Sequence, residues 1–290
     1  MFPEFESRSV RIDEGTLAVR IGGKGPPLLL LHGYPQTGAM WHKVAPRLAE
    51  EFTVVIPDLR GYGDSWKPAA DPTHSSYSKR AMAAEQVRLM TLLGFSSFQL
   101  VGHDRGARVA YRLALDFPAT VRSLTLIDIV PTSVMYASVS REFATALYHW
   151  FLAIQPFPFP EKLIGGSPFV YQDAILFGMS SAAHPYSEQA LADYRRCFTP
   201  EMIHAACEDY RAGASIDLVH ERDDNGLLIE CPTQILWGRH SAVGKLFNPV
   251  DIWMTRAKQM VAREFDCGHF VPEEMPGEFL DELLPFLSSH

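Results

Sequence analysis

Short, continuous apolar runs recur along the chain and alternate with segments of helical spacing. The runs lie at 27–31, 52–57, 98–101, 121–127, 233–237 and 260–265. Helices are predicted at 40–50, 77–93, 109–115 and 278–287, and two further short strands at 8–22 around a turn at 13–15. Runs without alternation are typical of parallel strands with both faces covered by helices. The pattern therefore predicts an α/β chain with a mostly parallel, doubly wound sheet and right-handed crossovers.

The rhythm of strand and helix breaks between positions 132 and 232. This interval is rich in aromatic residues and prolines, as at 156–160, and has helical stretches at 187–197 and 201–212. We therefore predict an inserted helical cap at 132–232, carried by a core that comprises 1–131 and 233–290. A chain of 290 residues is long enough for one large domain with such an insertion.

A carboxylate stands at a sharp turn between the predicted strand 98–101 and the helix 109–115. Gly102 and Gly106 flank Asp104 at two residues on either side, and glycine there lets the backbone turn without a Cβ clash. The pattern Gly-x-nucleophile-x-Gly is the nucleophile elbow of the α/β-hydrolase fold, with aspartate where esterases carry serine. The alternative is that Asp104 only caps the helix, as aspartate after a strand commonly does.

Two further residues follow the α/β-hydrolase order of nucleophile, acid and histidine. Asp128 ends one predicted strand, and His269 follows the last one. Many members of this fold carry the acid after the strand that corresponds to 233–237, but no carboxylate directly follows that strand here. We therefore predict a triad of Asp104, Asp128 and His269, with Asp251 as a weaker rival for the acid.

An aspartate nucleophile implies a different reaction from that of a serine. A carboxylate displaces a leaving group from saturated carbon and becomes an ester, which water then hydrolyses with neutral His269 as general base. Backbone N–H groups after the nucleophile and after the first buried strand would hold the oxyanion. These groups belong to Arg105 and Tyr34.

Arg105 and Arg108 are three residues apart at a helix start and so share a face. Two solvated arginines are the simpler interpretation, but an arginine beside the nucleophile at a pocket floor needs an anionic partner. Two guanidinium groups can hold one carboxylate, at about 1.5–3 kcal/mol for each charge-assisted hydrogen bond. The pair therefore predicts a small anionic substrate.

Composition excludes several other classes of partner. The formal net charge of −8 argues against nucleic acid and anionic membrane surfaces. The four cysteines show neither CxxC nor zinc spacing, and no histidine pair has metalloprotease spacing, so we expect neither metal nor cofactor. The first residues are charged where a signal peptide is apolar, and no apolar run reaches the roughly 18 residues of a membrane span. We expect a soluble, cytoplasmic protein.

Four short motifs, spread over most of the chain, carry a resemblance to a known family. They are His-Asp-Arg-Gly-x-Arg at 103–108, His-Trp at 149–150, Asp-Tyr-Arg-Ala-Gly at 209–213 and Gly-His-Phe at 268–270. With these motifs the chain resembles the haloacetate dehalogenases, among them fluoroacetate dehalogenase. The resemblance implies the same triad, a substrate carboxylate held by Arg105 and Arg108, and a halide held by His149, Trp150 and Tyr210.

The resemblance also implies a reaction and an assembly. The reaction is hydrolytic removal of halide from a small anionic 2-halo acid, such as conversion of fluoroacetate to glycolate, and the assembly is a homodimer. Tyr34 is a departure, because phenylalanine is expected there in the best-known members. An added hydroxyl near the oxyanion hole bears on substrate preference rather than on reaction type.

Two other functions remain open. An epoxide hydrolase shares the aspartate nucleophile and the ester intermediate, but it needs two cap tyrosines and typically has tryptophan where Arg105 stands. A non-catalytic ligand receptor on the same fold keeps a pocket while losing a member of the triad, and all three members are present here.

Overall fold

The computed structural model describes residues 1–13, 15–224 and 226–290. Within these ranges the predicted apolar runs form strands of one sheet, which an antiparallel pair at the start of the chain extends. The predicted turn 13–15 includes position 14, which lies outside the described residues. The strands are β1 (Glu6–Ile12), β2 (Gly15–Gly22), β3 (Pro27–Leu31), β4 (Thr53–Pro57), β5 (Phe98–His103), β6 (Val121–Ile127), β7 (Thr233–Gly238) and β8 (Met260–Phe265).

The sheet is mostly parallel, as predicted. Its strand order is β1-β2-β4-β3-β5-β6-β7-β8, with antiparallel pairing of β1 with β2 and of β2 with β4, and parallel pairing from β4 onwards. At the carboxyl end of the central strand β5, Gly102 pairs with Leu31 of β3, and His103 pairs with Ile127 of β6. The residues that follow these three strands therefore meet at one edge of the sheet.

Helices cover both faces of the sheet and fill the long interval between β6 and β7. The α-helices are α1 (Ala45–Leu48), α2 (Lys79–Leu92), α3 (Arg105–Asp116), α4 (Thr132–Ala137), α5 (Arg141–Ala146), α6 (Tyr148–Ala153), α7 (Phe159–Gly166), α8 (Pro168–Met179), α9 (Glu188–Cys197), α10 (Pro200–Gly213), α11 (Ile216–Asp223), α12 (Ala242–Leu246), α13 (Pro249–Met254), α14 (Val271–Glu274) and α15 (Pro276–Ser288). Single turns of 3-10 helix or short 3-10 segments lie at Gly38–Lys43, Ser75–Tyr77 and Pro118–Thr120.

The double winding is visible in where alternate side chains of one strand are buried. Leu29 and Leu31 of β3 belong to an apolar cluster that includes residues of α2 and α3. Leu28 and Leu30 belong to a separate cluster that includes residues of α1 and α15. Continuous apolar runs are required for this arrangement because both faces of the strand are buried.

One predicted helix is interrupted. The segment predicted as a helix at 40–50 forms a 3-10 segment, Gly38–Lys43, and then the short helix α1. Pro46 stands in the first turn of α1, and its ring is incompatible with a helix that continues from the preceding turn. The side chain of Thr37 accepts the N–H of Ala39 and so fixes the start of the 3-10 segment.

The interval between β6 and β7 is helical throughout most of its described length, from α4 to α11. Prolines stand in the first turns of α7, α8 and α10, where the missing N–H is without consequence. The proline-rich stretch therefore marks helix starts rather than a linker. The division into a core and a cap at 132–232 stays our interpretation of this segment. None of the described helices has the length and apolarity that crossing a membrane requires.

The turn around Asp104 brings backbone segments so close together that two positions require glycine. A Cβ on Gly106 would lie 2.3 Å from the carbonyl oxygen of His32, and a Cβ on Gly102 would lie 2.6 Å from the carbonyl oxygen of Gly106. Both clashes are with backbone atoms, so no flexible side chain can move away. The glycine spacing seen in the sequence thus has a packing origin.

We predict that Gly106→Ala lowers the free energy of unfolding by roughly 3 kcal/mol, the upper end of the usual effect of overpacking. Urea denaturation measures this change. Gly165→Ala is the matched control, because Gly165 is exposed on α7 and a Cβ there meets no heavy atom within 4 Å. The control is expected to be neutral or to gain about 0.5 kcal/mol. Equal unfolding midpoints for the two variants would contradict the packing explanation.

Candidate active site

Asp104 lies between β5 and α3 in a backbone conformation that non-glycine residues rarely adopt. Its φ is 48° and its ψ is −115°. The side chain makes no capping hydrogen bond to α3. Instead, its Oδ1 accepts the backbone N–H of Tyr34 at 3.0 Å. The helix-cap alternative therefore does not describe Asp104, and backbone strain of this kind is common where a side chain must be presented to a ligand.

His269 lies between two carboxylates. Its Nδ1 donates to Oδ2 of Asp128 at 2.5 Å, and its Nε2 lies 3.8 Å from Oδ2 of Asp104. His269 Nε2 is buried and has no hydrogen-bond partner among the described residues. The structure thus brings the three predicted triad residues together, with the free nitrogen of the imidazole facing the elbow carboxylate.

The segment that follows β7 holds Asp128 in place. Oδ1 of Asp128 accepts the backbone N–H of Gly238 at 3.1 Å and the hydroxyl of Ser241 at 2.7 Å. Other members of the fold carry their acid after the strand that corresponds to β7. In this protein the segment after β7 instead supplies hydrogen-bond donors to Asp128. The rival Asp251 is exposed on α13, where its side chain accepts from Asn248 at 2.6 Å.

Burial and neighbouring charges set the protonation states of His269, Asp104 and the adjacent His103. Burial alone would lower the pKa of His269, but the hydrogen bond and charge of Asp128 raise it above its ordinary value. Burial alone would raise the pKa of Asp104, but the charge of His269 and other nearby cationic groups lower it below its ordinary value. Burial lowers the pKa of the adjacent His103 to about 3, so that imidazole is neutral. Asp104 is therefore an ionised carboxylate.

The guanidinium of Arg105 is already bound by an acid of the α10 helix. Its Nε and Nη2 donate to the two carboxylate oxygens of Asp209 at 2.8 and 2.9 Å, and Nη2 also donates to the backbone carbonyl of Asp209 at 2.8 Å. Arg105 therefore already has a carboxylate partner, and the role of Arg105 and Arg108 in holding a substrate carboxylate stays a prediction. Only Nη1 of Arg105 lacks a hydrogen bond within the part of the chain that the structure describes.

Arg108 makes fewer hydrogen bonds than Arg105, and none of them is to a carboxylate. Its Nη1 donates to the carbonyl of Val130 at 3.0 Å and to the hydroxyl of Thr132 at 2.9 Å. Only 4% of Arg108 is exposed, so its Nε is cut off from water. This Nε has no hydrogen-bond partner among the described residues. Burial and the neighbouring charge of Arg105 lower the pKa of Arg108, as expected for a cation that lacks an anionic partner. An anion is the partner that would compensate this charge.

Three aromatic side chains of α6 and α10 pack together, and two of them lie against the arginines. The ring centroid of Tyr210 on α10 is 5.9 Å from that of His149 and 5.8 Å from that of Trp150, both on α6. The Arg105 guanidinium lies 4.3 Å from the Tyr210 ring, and that of Arg108 lies 4.8 Å from the Trp150 ring. The structure thus brings the residues of three separate motifs to one place.

These aromatic groups are neutral hydrogen-bond donors. Burial lowers the pKa of His149 to about 3, and its Nδ1 has no partner among the described residues. Burial, together with the charge of Asp104, raises the pKa of Tyr210 well above its ordinary value. An uncharged imidazole and a protonated phenol each offer one donor to a bound anion.

Tyr34 contributes both backbone and ring to the site. Its ring stacks on His149 with centroids 6.3 Å apart and packs edge-on against Tyr210 at 5.5 Å. Its N–H is the observed donor to Asp104. The second predicted oxyanion donor, the N–H of Arg105, stands at the first position of α3 and makes no hydrogen bond to a described residue.

Sequence reasoning missed the residues that compensate Arg105. Asp209 lies in one of the four motifs, but its pairing with Arg105 spans 104 positions, so no local spacing indicates it. Tyr62 donates to Asp209 at 2.6 Å, and Lys79 also donates to it. Only a general rule could have indicated this pairing, namely that a buried arginine needs a counter-charge somewhere in the chain.

Comparison with known proteins shows the family to which this chain belongs. Residues 26–276 match the model of the α/β-hydrolase fold family. Fluoroacetate dehalogenase from Burkholderia sp is 44% identical over 99% of this chain and 95% of that protein. A soluble epoxide hydrolase from Corynebacterium sp. (strain C12) is 32% identical over 92% of this chain and 91% of that protein.

A solved structure supports the same assignment. The structure of an α/β hydrolase from Nostoc sp PCC 7120 superimposes with a TM-score of 0.98, at 50% identity over the whole length of both chains. The fold match, the family match and the near full-length similarity to a dehalogenase confirm the resemblance seen in the sequence motifs. The chain belongs to the α/β-hydrolase fold family and is a haloacetate dehalogenase-like member of it.

Proposed function

We propose that this protein is a hydrolase that removes halide from haloacetates, with fluoroacetate converted to glycolate. One observation carries the proposal most directly: a buried, unpaired arginine lies one helical turn from the elbow carboxylate. The backbone N–H of Arg108 donates to the carbonyl of Asp104 at 3.1 Å, so the two residues occupy successive turns. A substrate that places a carboxylate on Arg108 and a halogen-bearing carbon beside Asp104 must be short, which favours a 2-halo acid.

Asp104 starts the reaction as the nucleophile. Oδ1 is held by the N–H of Tyr34, which leaves Oδ2 on the side of His269 to attack the carbon. The new carbon–oxygen bond forms as the carbon–halogen bond breaks, and the bonding electron pair leaves with the halide. The product is an ester between Asp104 and a glycolyl group.

Water completes the reaction. His269 Nε2 takes a proton from a water molecule, whose oxygen attacks the carbonyl carbon of the Asp104 ester. The N–H of Tyr34, with that of Arg105 as the proposed second donor, stabilises the oxyanion that forms on the former carboxylate oxygen. Collapse of the intermediate expels glycolate, which takes the proton back from His269. Asp104 retains one oxygen atom from water and releases the second proton of that water to regenerate the carboxylate.

The aromatic group of the cap is suited to the leaving halide. Fluoride leaves with its full charge concentrated on one small ion, so donors fixed where the charge appears lower the barrier. His149, Trp150 and Tyr210 offer an imidazole N–H, an indole N–H and a phenol O–H. We assign them to the halide, while Arg108, with the free Nη1 of Arg105, takes the substrate carboxylate.

The two alternatives explain less of the site. A neutral epoxide would leave the buried charge of Arg108 without a partner, although the Corynebacterium epoxide hydrolase shows that the scaffold is used for that chemistry in a relative. A receptor without catalytic activity has no need of the contacts that orient His269 between Asp104 and Asp128.

We also propose that the protein acts as a homodimer in the cytoplasm. Several large apolar side chains of the cap are exposed, among them Phe157, Phe159 and Val170, at 65%, 54% and 72%. Large apolar side chains exposed on neighbouring helices support an interface with a second copy. The four cysteines are buried free thiols, which is consistent with a reducing compartment.

Halide release tests the reaction class. The wild-type protein is expected to release fluoride from fluoroacetate and chloride from chloroacetate, detected with halide-selective electrodes, and to form no diol from styrene oxide. Asp104→Asn, a nearly isosteric change, is expected to release neither fluoride nor chloride because it removes the nucleophile. Diol formation from styrene oxide without halide release would favour the epoxide hydrolase alternative.

Arg108→Leu tests the recognition of the substrate carboxylate. Loss of a charge-assisted hydrogen bond of about 1.5–3 kcal/mol is expected to raise KM for chloroacetate by roughly 10- to 150-fold. Steady-state chloride release measures this change. Arg263→Leu, which removes an exposed arginine on β8, is the control and is expected to leave KM unchanged. An unchanged KM in Arg108→Leu would refute the assignment.

The pH dependence of turnover tests the base. His269 accepts a proton only when it is neutral, and its pKa is raised, so kcat is expected to rise with pH through a midpoint above the ordinary histidine value of about 6.5. In Asp128→Asn the hydrogen-bonded charge that raises this pKa is absent, so the midpoint is expected to move to lower pH. A profile that is flat between about pH 5 and 9 would argue against His269 as the base.

A further inference from the structure

Arg105 is held from behind α3 by a buried network of groups that take no part in the proposed reaction. Asp209 is fully buried and accepts hydrogen bonds from Arg105, Tyr62 and Lys79. Lys79 is the first residue of α2. Its Nζ lies 3.5 Å from Oδ2 of Asp217, and its backbone N–H donates to Oδ1 of Asp217 at 2.8 Å. One lysine of the core thus engages two buried carboxylates that come from α10 and α11.

Arg108 lies close to a buried and a half-buried carboxylate and hydrogen-bonds to neither of them. Lys79, Arg108, Asp217 and Glu221 line the same small cavity. Glu221 accepts two backbone N–H groups at the start of α4, at 3.1 and 2.9 Å. Asp217 is engaged by Lys79. Glu221 and Asp217 are therefore each held by other groups, with Oδ2 of Asp217 facing only the charge of Lys79, and neither accepts a hydrogen bond from the Nε of Arg108, which has no partner among the described residues.

This arrangement decides whether Arg108 is available to a substrate. A buried carboxylate without a partner is strongly unfavourable and is stabilised by the nearest cation. If Lys79 lost its charge, Asp217 would face Arg108 across the cavity that they share. An internal ion pair of that kind would compete with the carboxylate of the substrate for the same guanidinium.

The net charge of the buried group around Arg105 depends on the same lysine. Asp209 neutralises Arg105, and burial would raise the pKa of Asp209, but the charges of Arg105 and Lys79 together hold it below its ordinary value. The two cations Arg105 and Lys79 and the two carboxylates Asp209 and Asp217 are therefore neutral as a group. Without Lys79 the group is negative, and the pocket attracts an anion less strongly.

We propose that Lys79 is a positioning residue that determines the affinity for anionic substrates: by engaging Asp209 and Asp217, it leaves Arg108 unpaired for the substrate carboxylate. The inference rests on the proposed function, since it concerns how that site selects a carboxylate. Lys79 does not touch the substrate and acts through the two arginines.

Substitution of Lys79 separates this role from a purely structural one. In Lys79→Met, KM for chloroacetate and the Kd for glycolate are expected to rise by about tenfold or more, while kcat at saturating chloroacetate falls by less than about threefold. Lys79→Arg restores the charge and is expected to recover most of the affinity. Chloride release gives KM and kcat, and isothermal titration calorimetry with glycolate gives Kd without any need for turnover.

A double variant tests the competition directly. In Lys79→Met with Asp217→Asn, the carboxylate that would capture Arg108 is absent, so glycolate affinity is expected to return to within about threefold of the wild type. This gain relative to Lys79→Met is not expected if that variant simply folds poorly, and circular dichroism checks the fold of each protein. Lys67→Met is the matched control, because Lys67 is a partly buried lysine that donates only to backbone carbonyls.

The outcomes separate this inference from the proposed function. A wild-type protein that binds glycolate but releases no halide would contradict the proposed function, and the binding measurements would still decide the role of Lys79. Equal Kd values for the wild type and Lys79→Met, an equal loss of kcat and affinity without recovery in the double variant, or no glycolate binding by the wild type would each overturn the inference.

Discussion

Burial of charge is the constraint on which this site depends. Asp104, Arg105 and Arg108 are almost completely withdrawn from solvent, and a buried charge persists only with partners that compensate it. Asp104 has the N–H of Tyr34 and the nearby imidazole of His269. Arg105 has Asp209. Arg108 has no carboxylate partner among the described residues, and we propose that an anionic substrate supplies it.

The fold meets this constraint by joining two parts of the chain. The sheet supplies the rigid elements, because the elbow after β5 and the turn after β6 place Asp104 and Asp128 at one edge. The helices between β6 and β7 supply Asp209, which compensates Arg105, and the aromatic donors that face the same region. In the proposed mechanism, binding and leaving-group stabilisation thus depend on contacts between segments that are far apart in sequence.

The strands were largely predictable from sequence, and the charge network was not. Strands β3, β6 and β8 begin and end where the sequence predicts them; β3 and β6 are almost wholly buried, whereas the edge strand β8 is mostly exposed. The helix expected at 40–50 is divided because Pro46 overrides the apolar periodicity. Asp128 was identified by the lack of a carboxylate after β7. The pairing of Arg105 with Asp209 has no local signal, since it arises only when α10 packs over α3.

The central claim is that Asp104 forms a covalent ester which His269 then hydrolyses. The most direct measurement is mass spectrometry of His269→Asn after incubation with fluoroacetate, since this variant keeps the nucleophile and lacks the base. The peptide that contains Asp104 is predicted to carry one glycolyl unit, with about one fluoride released for each site. An unmodified Asp104 peptide in a variant that continues to release fluoride would contradict the mechanism.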